Sequence, residues 1–249
     1  MTEWLRLALG IAILLGVTLA VLTWSGIPHR RAVSLAAVRA IVQLAFVAAV
    51  LRGVFAAPAT VVAVLAVMFS VSVWTASRRL RPQADALASV ALSCGLGSSL
   101  TIGLIVGLPV LSRDLRTLVA VSGIVFGGCM TAATLAGRRL HDALRRRRDE
   151  VEAWLSIGAT PRQAVRAIAR EAAFEAMVPG LDQTRTVGLV TLPGAFVGAL
   201  LGGASATSAA RFQVVVLIGL MCAQSITASM LVWRLGAPAA LPADPQLAG

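Results

Sequence analysis

Polar side chains inside apolar runs are the first residues in this sequence whose types and spacing could do chemistry. Arg39 and Gln43 lie in the apolar run over residues 33–51, and a spacing of four places them on one face of a helix. A charged group within hydrocarbon is costly and often functional. We expect either that this pair lines a path for a polar solute, or that the arginine snorkels while Gln43 bonds another helix.

Four residues of the carboxyl-terminal third extend this candidate path. Gln213 and Gln224 lie in the last apolar run, where hydrogen bonding between helices is slightly favoured over lining a path. Pro193 and Gly194 lie in the run over 187–204. Proline removes a backbone donor and glycine permits unwinding, and broken helices often form binding sites in transporters. Close packing through glycines spaced by four, at 194, 198 and 202, is an interpretation that stays open beside it.

No metal-ligand cluster or catalytic pair emerges from the sequence. Cys94, Cys129 and Cys222 lie far apart in apolar runs without CxxC spacing, so we expect buried thiols that pack as small hydrophobic side chains. His29 and His141 are expected in solvated loops. Catalytic residues are therefore predicted to be none, and metal ligands are unknown.

The basic residues exclude two further classes of function. All 22 are arginine, so the lysine that a P-loop places on nucleotide phosphates is missing, and we expect no cofactor bound by this chain itself. The net charge of +11 could attract nucleic acid, but the arginines sit beside apolar runs. Membrane topology explains their placement better, and we predict no nucleic-acid partner.

The only long polar interval, residues 150–194, predicts two short helices joined by a sharp turn. The first ends at Gly158, a residue type that tolerates the conformation just past a helix end. The second begins with Thr160 as cap, Pro161 in the first turn and Gln163 completing a capping box, and it is expected to end at 179–180. This interval is predicted to be a docking platform, with the contact surface formed by Glu152, Ala153, Gly158, Ala159, Thr160 and Pro161.

The composition predicts an all-α polytopic membrane protein. The 249 residues are 58% hydrophobic and 13% charged, with a mean hydropathy of +0.85. Crossing ~30 Å of hydrocarbon takes about 20 apolar residues in a helix. Seven runs of about that length occur, at 4–24, 33–51, 57–77, 86–108, 117–137, 187–204 and 212–233, with the docking platform between the fifth and sixth.

The arginines also predict an orientation through the positive-inside rule. Placing the polar interval in the cytoplasm puts sixteen arginines on that side and five on the other. We therefore expect a multi-pass protein of the plasma (cytoplasmic) membrane, with the amino terminus outside and the carboxyl terminus inside.

Several segments together resemble a known family. Glu152-Ala153 followed by Gly158 is similar to the EAA loop of ABC-transporter permeases, the surface that touches the ATPase, with Trp154 in place of the second alanine. The segments LSIGATPRQA, VPGLDQTRTVGLVTLPG, RAIVQLAFVAAVLRGVF and AARFQV resemble the FetB-like permeases. That family includes bacterial iron-export permeases and plant aluminium-tolerance relatives. The likeness covers residues 39–233, although Ala120 and Gly128 stand where the family pattern has proline and asparagine.

The resemblance implies the membrane-spanning permease subunit of an ABC transporter, exporting iron or another metal, and no enzyme activity in this chain. It implies a homodimer of this chain in the lipid bilayer, served by a separate ATPase that binds the ATP and Mg²⁺. Residues 1–235 would form the transmembrane permease domain, with a cytoplasmic coupling region at 138–186 and a disordered tail at 236–249.

Two other classes of function compete with the permease. A self-contained secondary carrier or channel would need an ion-coupling group in the membrane, and no predicted span has a central Asp or Glu. A membrane-embedded enzyme acting on lipid phosphates would need a nucleophile–base pair or a metal triad, and neither is recognisable. The docking platform favours the permease over both.

Overall fold

The computed structural model describes residues 3–28, 30–54, 58–80, 85–108 and 110–237. Over these ranges the regular elements are all helices, and one isolated bridge joins Val187 to Thr191. The all-α fold predicted from composition is confirmed. The helices are α1 (Glu3–Trp24), α2 (Arg30–Val54), α3 (Pro58–Arg79), α4 (Ala86–Gly107), α5 (Leu115–Arg146), α6 (Arg148–Ser156), α7 (Pro161–Thr186), α8 (Gly194–Leu201) and α9 (Ala206–Leu235).

Six of the helices in the described ranges, α1 to α5 and α9, are long and apolar enough to cross a membrane. The predicted sixth span over 187–204 is wrong as a continuous helix, because this segment is a turn followed by the eight-residue α8. Gly188 has a φ of +79°, and the Thr186 carbonyl accepts the backbone N–H groups of residues 189–191. The turn therefore pairs backbone donors that an unbroken helix would have paired differently.

The long helix α7 passes through Pro179, where the sequence predicted a helix end, and continues to Thr186. Proline removes one intrahelical hydrogen bond, which locally favours ending the helix. The helix persists because its packing continues past the proline. Ala176 is buried before it, and Gly180 packs directly against Gln224 of α9 after it. Tertiary contacts thus override the local signal.

The chain forms two compact units, residues 1–60 and 61–249. In the first unit α1 and α2 contact each other, and α1 has no buried residue. Large apolar side chains such as Leu14, Leu44 and Phe46 are exposed. An apolar surface of this kind suits a hydrocarbon surrounding.

In the second unit, α9 contacts α4, α5, α7 and α8. Small side chains occupy the centre of this packing, where Ala133, Ala223 and Ala228 are fully buried. In a membrane, small residues let helix backbones approach closely, and close contact replaces the hydrophobic driving force of a water-soluble core. The ring of Phe69 on α3 meets Phe126 on α5 edge-on, with ring centroids 5.5 Å apart.

Polar contacts reinforce the packing of α4 against α9. The Thr227 hydroxyl donates to the Ser93 carbonyl at 3.3 Å, and Arg234 Nε donates to the Ser89 hydroxyl at 3.3 Å. One turn beyond Ser93 on α4, Gly97 leaves no room for a methyl group, which would contact the Thr227 side chain and lie 2.8 Å from the Ala223 carbonyl oxygen. The interface therefore depends on the absence of a side chain at Gly97.

The isolated cysteines and histidines are only partly where the sequence predicted them. Cys94 and Cys129 are buried as expected, whereas Cys222 is half-buried. His141 lies within α5 and not in a loop, because α5 continues to Arg146. His29 and the predicted tail, apart from residues 236 and 237, lie outside the described residues.

Candidate functional site

The α6–α7 turn (residues 157–160) begins where α6 ends in a Schellman motif. The Ala159 N–H donates to the Trp154 carbonyl at 3.1 Å, and the Gly158 N–H donates to the Leu155 carbonyl at 3.0 Å. Gly158 has a φ of +91°, a left-handed conformation that costs glycine little. The predicted end of the first helix is confirmed, and its orphan carbonyls are paired.

The same turn ends in the predicted capping box. The Thr160 hydroxyl accepts the Gln163 N–H at 3.4 Å, while Gln163 Oε1 accepts the Thr160 N–H at 2.8 Å. Pro161 occupies the first turn of α7 and needs no partner for a backbone donor. Each backbone N–H from Gly158 to Thr160 is therefore hydrogen-bonded, which makes the turn stiff.

The α6–α7 turn presents apolar side chains at the surface of this chain. Ile157 is 74% exposed and Trp154 is 49% exposed. Glu152 is also exposed and forms an ion pair with Arg148 on the same helix, at 2.6 Å. Of the predicted docking residues, Ala159 alone is half-buried and the others are exposed. Large apolar groups on a stiff, protruding turn are typical of an interaction site.

Ion pairs connect this turn and α7 to the rest of the second unit. Arg147, between α5 and α6, bonds Glu150 at 2.7 Å and Glu171 of α7 at 2.9 Å. The hydrogen bonds to Glu150, more than the nearby charge of Glu171, raise the pKa of Arg147. Arg139 of α5 pairs with Glu175 of α7 at 3.1 Å. These pairs are exposed, so they orient α7 more than they stabilise the fold.

Inside the second unit, Gln224 of α9 is wedged between two glycines of other helices. A methyl at Gly180 of α7 would collide with Gln224 Oε1, and a methyl at Gly128 of α5 would collide with Leu220 and lie 3.5 Å from Gln224 Nε2. The amide thus sits where α5, α7 and α9 meet, beside the break in hydrogen bonding at Pro179. The sequence predicted a role for Gln224 but not its contacts with Gly128 and Gly180, because the two glycines lie in distant segments of the chain.

Two further polar atoms in the second unit are buried and have no partner among the described residues. They are Oε1 of Gln213 on α9 and Oγ1 of Thr101 on α4, and both side chains are buried. Hydrogen bonding between helices was slightly favoured for Gln213, and its carbonyl oxygen forms no such bond. An unpaired polar atom inside a membrane protein is costly, so it suits a place that a polar solute visits.

Pro193 and Gly194 begin α8, with Pro193 as its N-cap residue. A methyl at Gly194 or at Gly198 would meet nothing within 4 Å in the described part of the chain. Among the described residues, the close packing through glycines therefore has no neighbour at those two positions. The unwound backbone between α7 and α8 keeps the broken-helix interpretation open.

Arg39 and Gln43 belong to the first unit, whereas the other four predicted path residues belong to the second. Both are exposed on α2, which begins at Arg30. At about 1.5 Å per residue, Arg39 lies about 14 Å along the axis from that end. Both interpretations of Arg39, lining a path and snorkelling, stay open at this position.

The described ranges contain no group of three or more His, Cys, Asp or Glu residues that could hold a metal ion. Among the predicted path residues, Gln43, Gln213 and Gln224 carry amides and Arg39 carries a charge. Neutral oxygens of this kind can solvate a polar solute, whereas divalent cations usually bind through carboxylates, imidazoles or thiolates.

Over residues 4–238 the sequence matches the family described as Uncharacterised protein family (UPF0014). The chain belongs to this family. The rice (Oryza sativa subsp. japonica) UPF0014 membrane protein STAR2 is 35% identical over 202 residues, which are 78% of this chain and 70% of that protein. The Arabidopsis thaliana protein ALUMINUM SENSITIVE 3 is 34% identical, over 78% of this chain and 73% of its own length.

A bacterial UPF0014 relative bears a transport name. The Escherichia coli (strain K12) probable iron export permease protein FetB is 29% identical over 192 residues, which are 76% of this chain and 74% of that protein. The family expected from the motifs is thereby confirmed, and two of these three relatives are named as a membrane protein and a permease. With six apolar helices of membrane length in its described ranges, this UPF0014 chain is a multi-pass membrane protein. No solved structure matches it.

Proposed function

We propose that this UPF0014 chain is the membrane-spanning permease subunit of an ABC transporter, driven by an ATPase on a separate chain. The observation that carries the proposal is the stiff α6–α7 turn at the end of the membrane-length helices. It exposes Trp154 and Ile157 on a backbone whose donors are all paired. A rigid, exposed turn of this kind can transmit force from a partner that changes its conformation.

The leading substrate is iron or another metal, carried outward. Support comes from the name of the Escherichia coli relative, while the polar groups at Gln213 and Gln224 suit a polar solute in general. The positive charge of Arg39 would repel a bare cation. A metal carried as an anionic chelate fits that charge better, and the arginine could then bind the chelate in bidentate fashion.

The proposed assembly is a homodimer of this chain with two ATPase subunits, which bind ATP and Mg²⁺. The proposed orientation keeps the α6–α7 turn and the carboxyl terminus in the cytoplasm of the cell, with the amino terminus outside. It requires α7 and α8 together to cross the membrane between α5 and α9, in addition to the six helices of membrane length. The excess of arginines on the cytoplasmic side supports this orientation. Apolar side chains exposed on α1 and α2 leave surface for lipid and for a second copy.

A self-contained carrier or channel is the second candidate function. The buried unpaired atoms of Thr101 and Gln213 favour a polar path through the chain, and a path alone does not require an ATPase. The two proposals differ in their energy source. A secondary carrier works without ATP and responds to an ion gradient.

The test is co-purification of the full chain with a candidate ABC ATPase subunit expressed together with it, followed by reconstitution into proteoliposomes. We expect a stable complex whose ATP hydrolysis rises severalfold when Fe²⁺ or its citrate chelate is supplied, with metal moved only when ATP is present. Metal movement without the ATPase, or dependence on a proton gradient alone, would transfer the function to the carrier. A chain carrying Glu152→Arg tests the docking surface in the same assay, and it should insert into the membrane but uncouple ATP hydrolysis from transport.

A further inference from the structure

A contact beside the α6–α7 turn links α7 directly to the end of α9. Arg162 is the second residue of α7, and its guanidinium carbon lies 4.5 Å from the centroid of the Trp233 ring. Trp233 is in the last turn of α9. Beside it, a methyl at Gly236 would lie 3.9 Å from the Ala169 methyl, so the end of α9 runs against the first turns of α7.

The position of this contact distinguishes it from the other links of the turn. Arg147–Glu171 and Arg139–Glu175 tie α7 to the α5 end of the bundle. Arg162 instead reaches α9, the helix that carries Gln213 and Gln224 and that contacts α4, α5, α7 and α8. A displacement of the α6–α7 turn would therefore reach the end of α9 through Arg162 and Trp233, beside the packing of Gly180 of α7 on Gln224 of α9.

The chemistry of the Arg162–Trp233 pair suits the transmission of movement from α7 to α9. A guanidinium over an indole face is held by the ring quadrupole and by stacking, and the planar group keeps a fixed orientation on the ring. Both side chains are exposed, so the contact contributes little to the stability of the fold. Each residue also has a general explanation of its own. Trp233 can anchor the helix at the membrane interface, and Arg162 can help to set the membrane topology by its charge. Neither role requires the two to be stacked.

The chain supplies a matched control. Arg78 lies over Trp74 with the guanidinium carbon 4.9 Å from the ring centroid. Both of these residues are on α3, so the pair has the same chemistry and joins no two helices.

We propose that Arg162 and Trp233 are positioning residues that carry movement of the α6–α7 turn to α9. This inference rests on the proposed function, because it assigns the route by which a partner ATPase would act on the path.

The experiment uses the reconstituted complex with its ATPase and a reporter that needs no knowledge of the substrate. The reporter is Ser225→Cys on α9, in a chain whose Cys94, Cys129 and Cys222 are replaced by alanine. We expect ATP to change the labelling rate of this cysteine severalfold. Arg162→Gln or Trp233→Leu should reduce that change to less than a third while ATPase binding is unchanged, and combining the two should add little.

The conservative variants separate transmission from folding. Trp233→Phe keeps a ring face and should keep most of the response, as should Arg78→Gln and Trp74→Leu. Arg162→Lys keeps the charge but loses the planar stacked group, so it should keep only part of the response. A full ATP response in Arg162→Gln, an equal loss in Arg78→Gln, or a silent reporter in a complex that binds its ATPase would each overturn the inference. Failure of the unsubstituted chain to bind the ATPase would instead overturn the proposed function itself.

Discussion

Arg39 is the charged member of the candidate path, and its place on α2 makes its role testable by a single substitution. It lies well inside the helix, and Gln43 shares its face. If Arg39 only snorkelled, lysine would serve equally well, since both cationic heads reach the interface. If it binds an anionic substrate or a cluster of carbonyls through its planar fork, lysine cannot replace it.

We therefore expect Arg39→Lys and Gln43→Leu each to lower metal transport severalfold, with expression and ATPase association unchanged. Transport per ATP in proteoliposomes is the measurement. Arg31→Lys, the same substitution at the start of α2, is the matched control and should behave as the unsubstituted chain. Normal transport in Arg39→Lys would return Arg39 to a structural role.

The amide of Gln224 gives a second prediction at the residue scale. A methyl at Gly128 would displace Leu220 and crowd Gln224, whereas a methyl at the adjacent Gly127 would meet nothing within 4 Å in the described residues. Overpacking of this kind costs about 1–3 kcal/mol. We expect Gly128→Ala to lower both thermal stability and transport, and Gly127→Ala to change neither.

Gln224→Leu separates the loss of thermal stability from the loss of transport that we expect in Gly128→Ala, because leucine fills a volume similar to that of glutamine without the amide. It should keep the melting temperature within a few degrees and lower transport severalfold. Transport at the level of the unsubstituted chain in Gln224→Leu would show that the amide serves packing alone.

At the scale of elements, the α6–α7 turn depends on the left-handed conformation of Gly158. A β-branched residue is strained there, at a cost of about 1–2 kcal/mol, so valine would deform the Schellman motif and shift Ile157. We expect Gly158→Val to leave the protein inserted in the membrane and to uncouple ATP hydrolysis from transport. The measurement is the ratio of metal moved to ATP hydrolysed.

Gly158→Asn is the control, because asparagine tolerates this conformation better than other side chains and should retain most of the coupling. A Gly158→Val protein that binds its ATPase and transports normally would count against the turn as the docking site.

At the scale of the whole molecule, the orientation is tested by an impermeant thiol reagent in intact cells. Arg147 follows the carboxyl-terminal end of α5, and Ser205 caps the amino-terminal end of α9. The proposed topology, in which α7 and α8 cross between them, places the two residues on opposite sides of the membrane. A cysteine at Arg147 should be shielded, and one at Ser205 should label. Gln246, on the shielded side by the same argument, lies outside the described residues.

The background in this experiment comes from the natural cysteines. Cys94 and Cys129 are buried, so Cys222 is the natural thiol to replace first. Labelling of the Arg147 cysteine from outside would overturn the orientation, and the docking proposal with it.

Local features of the sequence were enough to predict much of this architecture. Apolar runs of membrane length predicted six of the long helices, because a helix is the spanning element that pairs its own backbone groups. The Schellman glycine and the capping box at Gly158 and Thr160 were also predictable, because each is an interaction between residues a few positions apart.

Tertiary structure decided what depends on residues far apart in the chain. α7 runs through Pro179 because Gly180 packs on Gln224, and no local rule contains that contact. The segment after α7 is a turn and a short helix, although its hydropathy suits a full span, because Gly188 and the Thr186 carbonyl close the backbone on itself. The stacking of Arg162 on Trp233 likewise joins two helix ends that only the fold brings together.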